Sequence, residues 1–423
     1  MALFERGSMH LARTLSSLEH RNFRLLFFGT SLSHVGDFIQ AMAQSWLVWT
    51  MTGSPFLLGV VGFCQAVPRL LLGAVGGAFV DRVERRRLLI STQILAMVQA
   101  FVFWALVYFG WIEFWHILVL VLFLGTVNTI NQTARHSLIN NLVPREDLMN
   151  AIALNSSMAN IAKIIGPSLG GVLITIIGVA GCLFFNALSF LTIIATLIAM
   201  EFPQVKAKAK DQAPFWHEVS EGYHFLRSQR RLFSIILLTY GVALVGTPYS
   251  RFLPVFATDI LHAGPSTFGL LLAAPGIGAV VAGLGIASFG RLRRRRHFVA
   301  MSVYAFSVSL ILFSFSRSLP LSILFLMLVG ASNIAIRAVA NTVVQMETPP
   351  DLLGRMLSLY FMDKGLWSFG TLFIGSVAHV VGTPRAIAIS GAACAAAATA
   401  LLYQQRQARE SQPAESLNRR IAQ

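Results

Sequence analysis

Asp37 is where chemistry can first be built. It stands midway along an apolar run near 23–50, with Ser33, Gln40 and Gln44 at helical intervals around it and His34 three residues before it. On a helix these spacings bring the side chains to one face. An acid inside an apolar run is costly unless it faces a cavity or a partner. Held between burial and a nearby cation, such an acid is poised to exchange protons near neutral pH. Asp37, helped by His34, therefore reads as a proton-exchange site, and a structural acid locked in an ion pair is the plainer alternative. Lys163, in a later run, is a cation that could neutralise Asp37 or meet an anionic substrate.

Other runs carry polar stripes of the same kind. Asn128, Asn131, Gln132 and Arg135 follow helical spacing near 114–135, and Asn333, Arg337, Asn341 and Gln345 recur at every fourth residue near 319–346. A looser set, Tyr240, Thr247, Tyr249, Ser250 and Arg251, lies near 232–258. These residues suit the wall of a cavity that hydrogen-bonds a substrate; as packing residues they would instead bond helix to helix. Arg69 and Arg251 could pair with a carboxylate or bind an anion. Asp363-Lys364 reads as interfacial, with Lys364 snorkelling to the headgroups. Basic residues outnumber acidic ones inside the runs, which points toward an anionic or catecholate-like substrate.

The elements that must position these residues are set by composition. The 423 residues are 55% hydrophobic and 12% charged, with a mean hydropathy of +0.67. Soluble domains carry roughly 25% charged residues, so lipid is the expected solvent for most of this chain. Apolar runs fall near 23–50, 55–80, 88–110, 114–135, 150–177 and 179–201, then near 232–258, 266–289, 298–316, 319–346, 355–381 and 384–404. This pattern predicts a leader over 1–21, an N-terminal bundle over 22–201, a middle loop over 202–231, a C-terminal bundle over 232–404 and a tail over 405–423. Phe215–Leu226 in the middle loop reads as an amphipathic helix on the membrane surface.

Orientation follows from the cations. The net charge of +15 is spread over short loops, not one soluble face, which argues for membrane topology and against nucleic acid. Of the 33 Lys and Arg, only Arg317 and Arg385 fall in the expected outer turns. Both termini and the middle loop are therefore expected in the cytoplasm. The polar, basic segment 1–21 lacks the apolar core of a cleavable signal. Cys64, Cys182 and Cys394 are far apart within apolar runs and suggest neither disulfide nor metal. No phosphate loop, metal-ligand spacing or nucleophile turn occurs, so no enzyme, no cofactor and no ATP-driven step is expected. The halves also echo one another: Asn128, Pro144 and Leu148 recur at one constant offset as Asn333, Pro349 and Leu353, the parallel-repeat plan of many secondary transporters.

With six runs plus six and Gly77-x-x-x-Asp81-Arg82-x-x-Arg85-Arg86 between the second and third, the whole chain resembles the major facilitator superfamily. Asp37 in Ser33-His34-Val35-Gly36-Asp37, the Trp46-Leu47-Val48…Thr52-Gly53-Ser54-Pro55 turn and Asp81-Arg82-x-Glu84-Arg85 resemble its drug:proton antiporter branch, which includes enterobactin exporters and macrolide efflux proteins. Gly166-Pro167-x-x-Gly170-Gly171 is similar to the antiporter motif of the fifth helix. The resemblance implies an all-α membrane protein, twelve transmembrane helices as two six-helix bundles around a central cavity. The first, fourth, seventh and tenth helices would line that cavity, where the polar stripes fall. It also implies a cytoplasmic gate, in which Asp81 with Arg82, Arg85 and Arg86 holds the start of the eleventh helix near Arg355 and favours the outward-open state. A plain turn acid neutralising Arg82 or Arg85 is the alternative for Asp81. Gly166, Pro167, Gly170 and Gly171 would let the fifth helix bend or slide. Two residues depart from the pattern. Glu84 stands where many members have Gly. Arg135 lies at the inner end of its helix, whereas the motif arginine of many drug antiporters lies deeper, so no relay role is carried over to it.

The expected function is proton-coupled export, by alternating access, of a small amphipathic molecule such as a siderophore or hydrophobic antibiotic. The expected setting is a monomer in the bacterial cytoplasmic (inner) membrane, with substrate, protons and the lipid bilayer as partners. An uncoupled facilitator or lipid-translocating protein is the alternative, and a non-transporting receptor or scaffold ranks below both.

Overall fold

The computed structural model describes residues 16–80, 84–139, 142–201, 223–288, 295–350 and 352–421. Among the described residues every regular element is helical, and seven helices are long and apolar enough to cross a membrane. In chain order come a 3-10 turn Ser16–Glu19, α1 Arg21–Thr52, α2 Pro55–Val80, α3 Arg85–Tyr108, α4 Phe114–Ile139 and α5 Leu148–Ala199. After them come α6 Arg230–Gly241, α7 Pro265–Ser288, α8 Arg295–Phe315, α9 Leu319–Glu347, α10 Leu353–Phe361, α11 Asp363–Val381 and α12 Thr383–Ile421. Between α6 and α7 the chain stays helical but irregular, passing through π turns at Val242–Gly246 and Phe256–Ile260 and a 3-10 turn at Thr247–Phe252. Pro248 and Pro254 remove backbone donors there, which favours such departures from the α ladder.

Local chemistry explains the ends. α1 stops at Gly53, whose left-handed backbone (φ 57°) turns its N–H back to the Trp49 carbonyl at 2.8 Å, and Pro55 then opens α2. α5 is two arms joined at Gly178 (φ 71°, ψ 179°), a conformation essentially restricted to glycine. α1 has the length of a span, but Ser33, His34, Asp37, Gln40 and Gln44 dilute its hydropathy. Large apolar side chains such as Leu71, Ile176, Leu284, Phe315 and Val380 stand exposed, as helices facing lipid require.

The chain divides into two compact units, one of Met1–Asp211 with Leu253–Gly276 and the other of Gln212–Phe252 with Ile277–Gln423. In the first, α1 lies along the second arm of α5. A Cβ on Gly36 would come within 2.6 Å of Ser189 Oγ, and one on Gly29 within 2.9 Å of Thr196 Cβ, so only glycine allows this approach. Phe23, Leu89, Ala134, Leu138, Phe190 and Leu197 fill the adjoining core. The Gly166–Gly171 motif works on two sides. Gly166 and Gly170 face Phe38 and Met42 of α1, while a Cβ on Gly171 would meet the Pro265 carbonyl of α7 at 2.8 Å. The segment Leu253–Gly276 is further tied to α1 by Trp49 Nε1 donating to Thr258 Oγ1 at 2.8 Å and by Trp46 stacked on Phe268. The Ser16–Glu19 turn docks on the start of α5, with Ser16 Oγ donating to Asp147 Oδ1 at 2.6 Å and Ser17 Oγ to Asn150 Oδ1 at 2.8 Å.

In the second unit, α8 packs against α9 and α12, and α11 crosses the π turn closely enough that Gly370 abuts the Leu244 carbonyl. α10 and α11 are separated at Met362, where Met362 N–H reaches the Leu359 carbonyl at 3.1 Å and Gly365 N–H the Met362 carbonyl at 2.9 Å. These three-residue steps tighten the helix and begin α11 at Asp363.

Candidate functional site

In the first unit, α1, α2, α3, α4 and the second arm of α5 surround a polar cavity of about 180 Å³. Thr30, Ser33, His34 and Asp37 of α1 face Asn128, Asn131, Gln132 and Arg135 of α4 across it, with Arg69 and Gln93 completing the polar wall and Phe190 and Ile193 its floor. Helical periodicity puts the α1 and α4 stripes on facing sides, as their spacing predicts.

At its centre the cavity holds a three-membered chain. Arg135 Nη1 is 3.0 Å from His34 Nε2, and His34 Nδ1 is 3.8 Å from Asp37 Oδ2. A guanidinium only donates, so Nε2 must accept, and the proton of a neutral imidazole then sits on Nδ1, facing Asp37. A second proton on the ring would place N–H against N–H and break the contact with Arg135. The charge of Arg135 thus reaches Asp37 through one orientable ring. Typical small-molecule pockets begin at roughly 300 Å³. This cavity falls below that size, and suits protons and water better than a whole cargo molecule.

Behind Asp37 the packing is polar and buried. Asn186 Nδ2 donates to Gln40 Oε1 at 2.7 Å, Gln40 Nε2 reaches Gln99 Oε1 at 3.5 Å, and Ser189 Oγ donates to Asn186 Oδ1 at 3.0 Å. Gln40 and Gln44, expected on the cavity wall, are 3% and 2% exposed and lie between helices. Asn186, Gln99 and Gln93 are the functional-site neighbours that the spacing argument missed. Each is a polar residue in an apolar run, which is itself a signal of an interior position. Lys163 is exposed on α5 and is not on the cavity wall; the cation beside His34 and Asp37 is Arg135.

The second unit assembles a different group. Arg337 Nη1 donates to Asp363 Oδ2 at 2.7 Å and Arg337 Nε to Asn333 Oδ1 at 3.2 Å. Asp363 is 1% exposed, so it is a buried ion-pair partner and not the interfacial residue expected from its place early in the run. Tyr240 donates to the Leu359 carbonyl, Arg251 lies over the Trp367 ring at 5.2 Å, and Asn341 accepts from Gln345 Nε2 at 3.2 Å.

Of the gate residues, Gly77 belongs to α2, while Asp81 and Arg82 lie outside the described residues. Arg85 opens α3, Arg86 Nη2 donates to the Ile198 carbonyl at 2.8 Å, Glu84 pairs with Arg87 at 2.7 Å, and Arg355 is half-buried on α10. Among the described residues no group of three His, Cys, Asp or Glu could hold a metal ion.

Residues 12–422 match the transmembrane secretion effector family of the major facilitator superfamily. The chain belongs to that family. It is 23% identical over 367 residues to the staphyloferrin A transporter of Staphylococcus aureus, covering 86% of this chain and 92% of that one. It is likewise 23% identical over 352 residues to macrolide efflux protein A of Streptococcus pyogenes, covering 81% and 86%. Among solved structures, a bacterial homologue of the human lysosomal transporter Spinster superposes with a TM-score of 0.71 at 15% identity, over 91% of this chain and 97% of that one. The fold and family are those of membrane transporters, not of enzymes.

Proposed function

We propose that the chain is a secondary transporter that exports a small amphipathic molecule in exchange for protons. In this reading it crosses the bacterial inner membrane twelve times as a monomer. Two six-helix bundles over 22–201 and 232–404 enclose the substrate, and both termini and the 202–231 segment are cytoplasmic. Asp81 and its neighbouring arginines form the cytoplasmic gate. A siderophore or hydrophobic antibiotic is the cargo class, since relatives are described as a staphyloferrin A transporter and macrolide efflux proteins.

The observation that carries the reading is the chain Arg135–His34–Asp37 inside a small polar cavity. With Asp37 ionised, the ring is held between a carboxylate and a guanidinium. A proton arriving at Asp37 cancels the attraction, and His34 and Arg135 are free to reorient. Arg135, and not Lys163, is the counter-cation in this cycle. Substrate binding between the bundles and proton loss to the cytoplasm then complete the exchange.

The test is flux in sealed vesicles with and without an imposed proton gradient. Asp37→Asn is expected to abolish gradient-driven export while leaving the protein folded and inserted. Undiminished proton-driven export by that variant would sink the coupling role, and indifference of the parent protein to the gradient would favour an uncoupled facilitator.

A further inference from the structure

Asp37 is approached from two sides. His34 and Arg135 meet it from the cavity, and Asn186 of the second arm of α5 meets it from the helix seam. Asn186 is 1% exposed and stands where Gly36, the residue before Asp37, lets the second arm approach closely. Its amide is one link in a chain whose polarity can be read from the far end. Leu120 of α4 offers a backbone carbonyl, which only accepts, so Gln99 of α3 turns Nε2 to it at 3.4 Å. Gln99 Oε1 then accepts from Gln40 Nε2 at 3.5 Å, and Gln40 Oε1 accepts from Asn186 Nδ2 at 2.7 Å. At the near end Asn186 Oδ1 accepts from Ser189 Oγ at 3.0 Å. Such networks settle which end of an amide is oxygen and which is nitrogen. With Oδ1 taken by Ser189 and one N–H by Gln40, the group that Asn186 has left for Asp37 is its second N–H.

We propose that this chain makes Asn186 a positioning residue for proton exchange, holding a fixed N–H donor against Asp37 and so setting the pH at which the proton leaves. A donor aimed at a carboxylate is worth more to the ionised form than to the neutral acid. His34, in the tautomer that Arg135 imposes, also faces Asp37 with an N–H. A protonated Asp37 has a hydroxyl that needs an acceptor, and Asn186 supplies one only by reversing its amide. Gln40 and Gln99 would have to reverse with it, setting Gln99 Oε1 against the Leu120 carbonyl. Two buried acceptors without a proton between them are unfavourable, so the chain resists reversal and the donor stays in place.

The charges that face Asp37 lie on the cavity side. α1 contributes His34, α4 Arg135, and α2 Arg69 on the cavity wall. α3 presents the amides of Gln93 and Gln99, and the second arm of α5 presents Asn186 and Ser189. Lys163, on the first arm, is exposed and off the wall. The 253–276 segment carries Asp259 and His262 beyond Thr258, which meets α1 at Trp49 and not at Asp37.

That this proton drives export rests on the transport reading above; the donor itself is read directly. Infrared spectra of the reconstituted full chain would be recorded across a pH titration, and the Asp37 carboxyl band isolated by subtracting an Asp37→Asn spectrum made in each background. Asn186→Leu, similar in volume but without a donor, is expected to move the midpoint of that band to higher pH by about one unit, a roughly tenfold change in proton affinity. Gln99→Leu, which frees Gln40 and Asn186 to reverse, is expected to move it the same way. Thr192→Val, on the same arm, removes a hydroxyl that bonds the Ser189 carbonyl outside the chain and is expected to leave the midpoint in place. A midpoint that stays or falls in Asn186→Leu, or that rises as far in Thr192→Val, would overturn the proposal and leave the exchange reading standing. A parent protein whose Asp37 band does not titrate would overturn both. Should Asn186→Leu fail to fold, Gln99→Leu decides alone, and an unmoved midpoint there overturns the proposal.

Discussion

A donor-only guanidinium decides what His34 can do. Because Arg135 Nη1 meets Nε2 at 3.0 Å, the imidazole faces Asp37 with its N–H, and the three residues act as one object. Hydrogen bonds to charged groups contribute about 1.5–3 kcal/mol, so Arg135→Gln is expected to lower proton-coupled export on the order of tenfold or more. Arg135→Lys should recover little, because a point ammonium on a flexible stem does not reproduce the planar fork. Initial rates of export under a fixed gradient measure both, and wild-type rates in Arg135→Gln would remove Arg135 from the relay. Much of this site was legible in sequence, since the α1 and α4 stripes stand out by spacing in apolar runs. The depth of Arg135 was not. Its Cα is near the inner end of α4, but helical side chains lean toward their own N-terminus, and the long arginine carries its charge back up the span to His34. Nor could spacing tell which glutamines face the cavity: Gln40 and Gln44 share the stripe of Asp37 yet turn into the helix contacts beside Asn186.

At the scale of elements, glycine sets how closely helices approach and where they reverse. Gly178 holds a backbone conformation that other residues adopt only with strain, and Gly178→Ala is expected to destabilise the protein by about 1–3 kcal/mol. Gly171→Ala would push a Cβ to 2.8 Å from the Pro265 carbonyl, an overpacking that typically costs about 1–3 kcal/mol. Gly283→Ala, with nothing within 4 Å of its Cβ, is the control expected to be neutral. Thermal denaturation followed by fluorescence-detected size exclusion ranks the three, and equal melting temperatures would show that neither the Gly178 bend nor the Gly171 approach limits stability. A second prediction concerns the turn at 16–19. Asp147, outside the spans, has its carboxyl held below the usual range by hydrogen bonds from Ser16 and His20. A carboxylate with a depressed folded-state value stabilises docking fully above its unfolded value, near ~3.9, and loses that contribution as pH falls through the folded value. Docking of the turn is therefore expected to hold at neutral pH and to loosen below about pH 4, read as faster hydrogen exchange at Ser17 and His20. Asp147→Asn should show the loosened exchange already at neutral pH. The Gly-Pro-x-x-Gly-Gly motif was evident in sequence, whereas its second face, onto α7, was not, because Pro265 and Gly269 lie some hundred residues away with no shared period.

For the whole molecule, the distribution of cations is the quantity the sequence exposes most directly. Basic residues crowd alternate loops, and the positive-inside rule turns that bias into an orientation. The packing units followed a different logic. Leu253–Gly276 joins the helices of residues 1–211 through Trp46, Trp49 and Gly171, although the repeat in chain order assigns it to the later half. Sequence symmetry counts spans, but helix ends pack according to which small and aromatic residues meet. Orientation decides which end of the helices meets the cytoplasm, and it can be measured directly. The test is single-cysteine labelling with a membrane-impermeant maleimide, after Cys64→Ser; Cys182 and Cys394 are buried. Arg317→Cys and Arg385→Cys are expected to label in intact cells, and Lys208→Cys only after permeabilisation. The reverse pattern would place the middle segment outside and overturn the expected orientation, while exchange against an inward proton gradient would still carry substrate outward, because the gradient sets that direction.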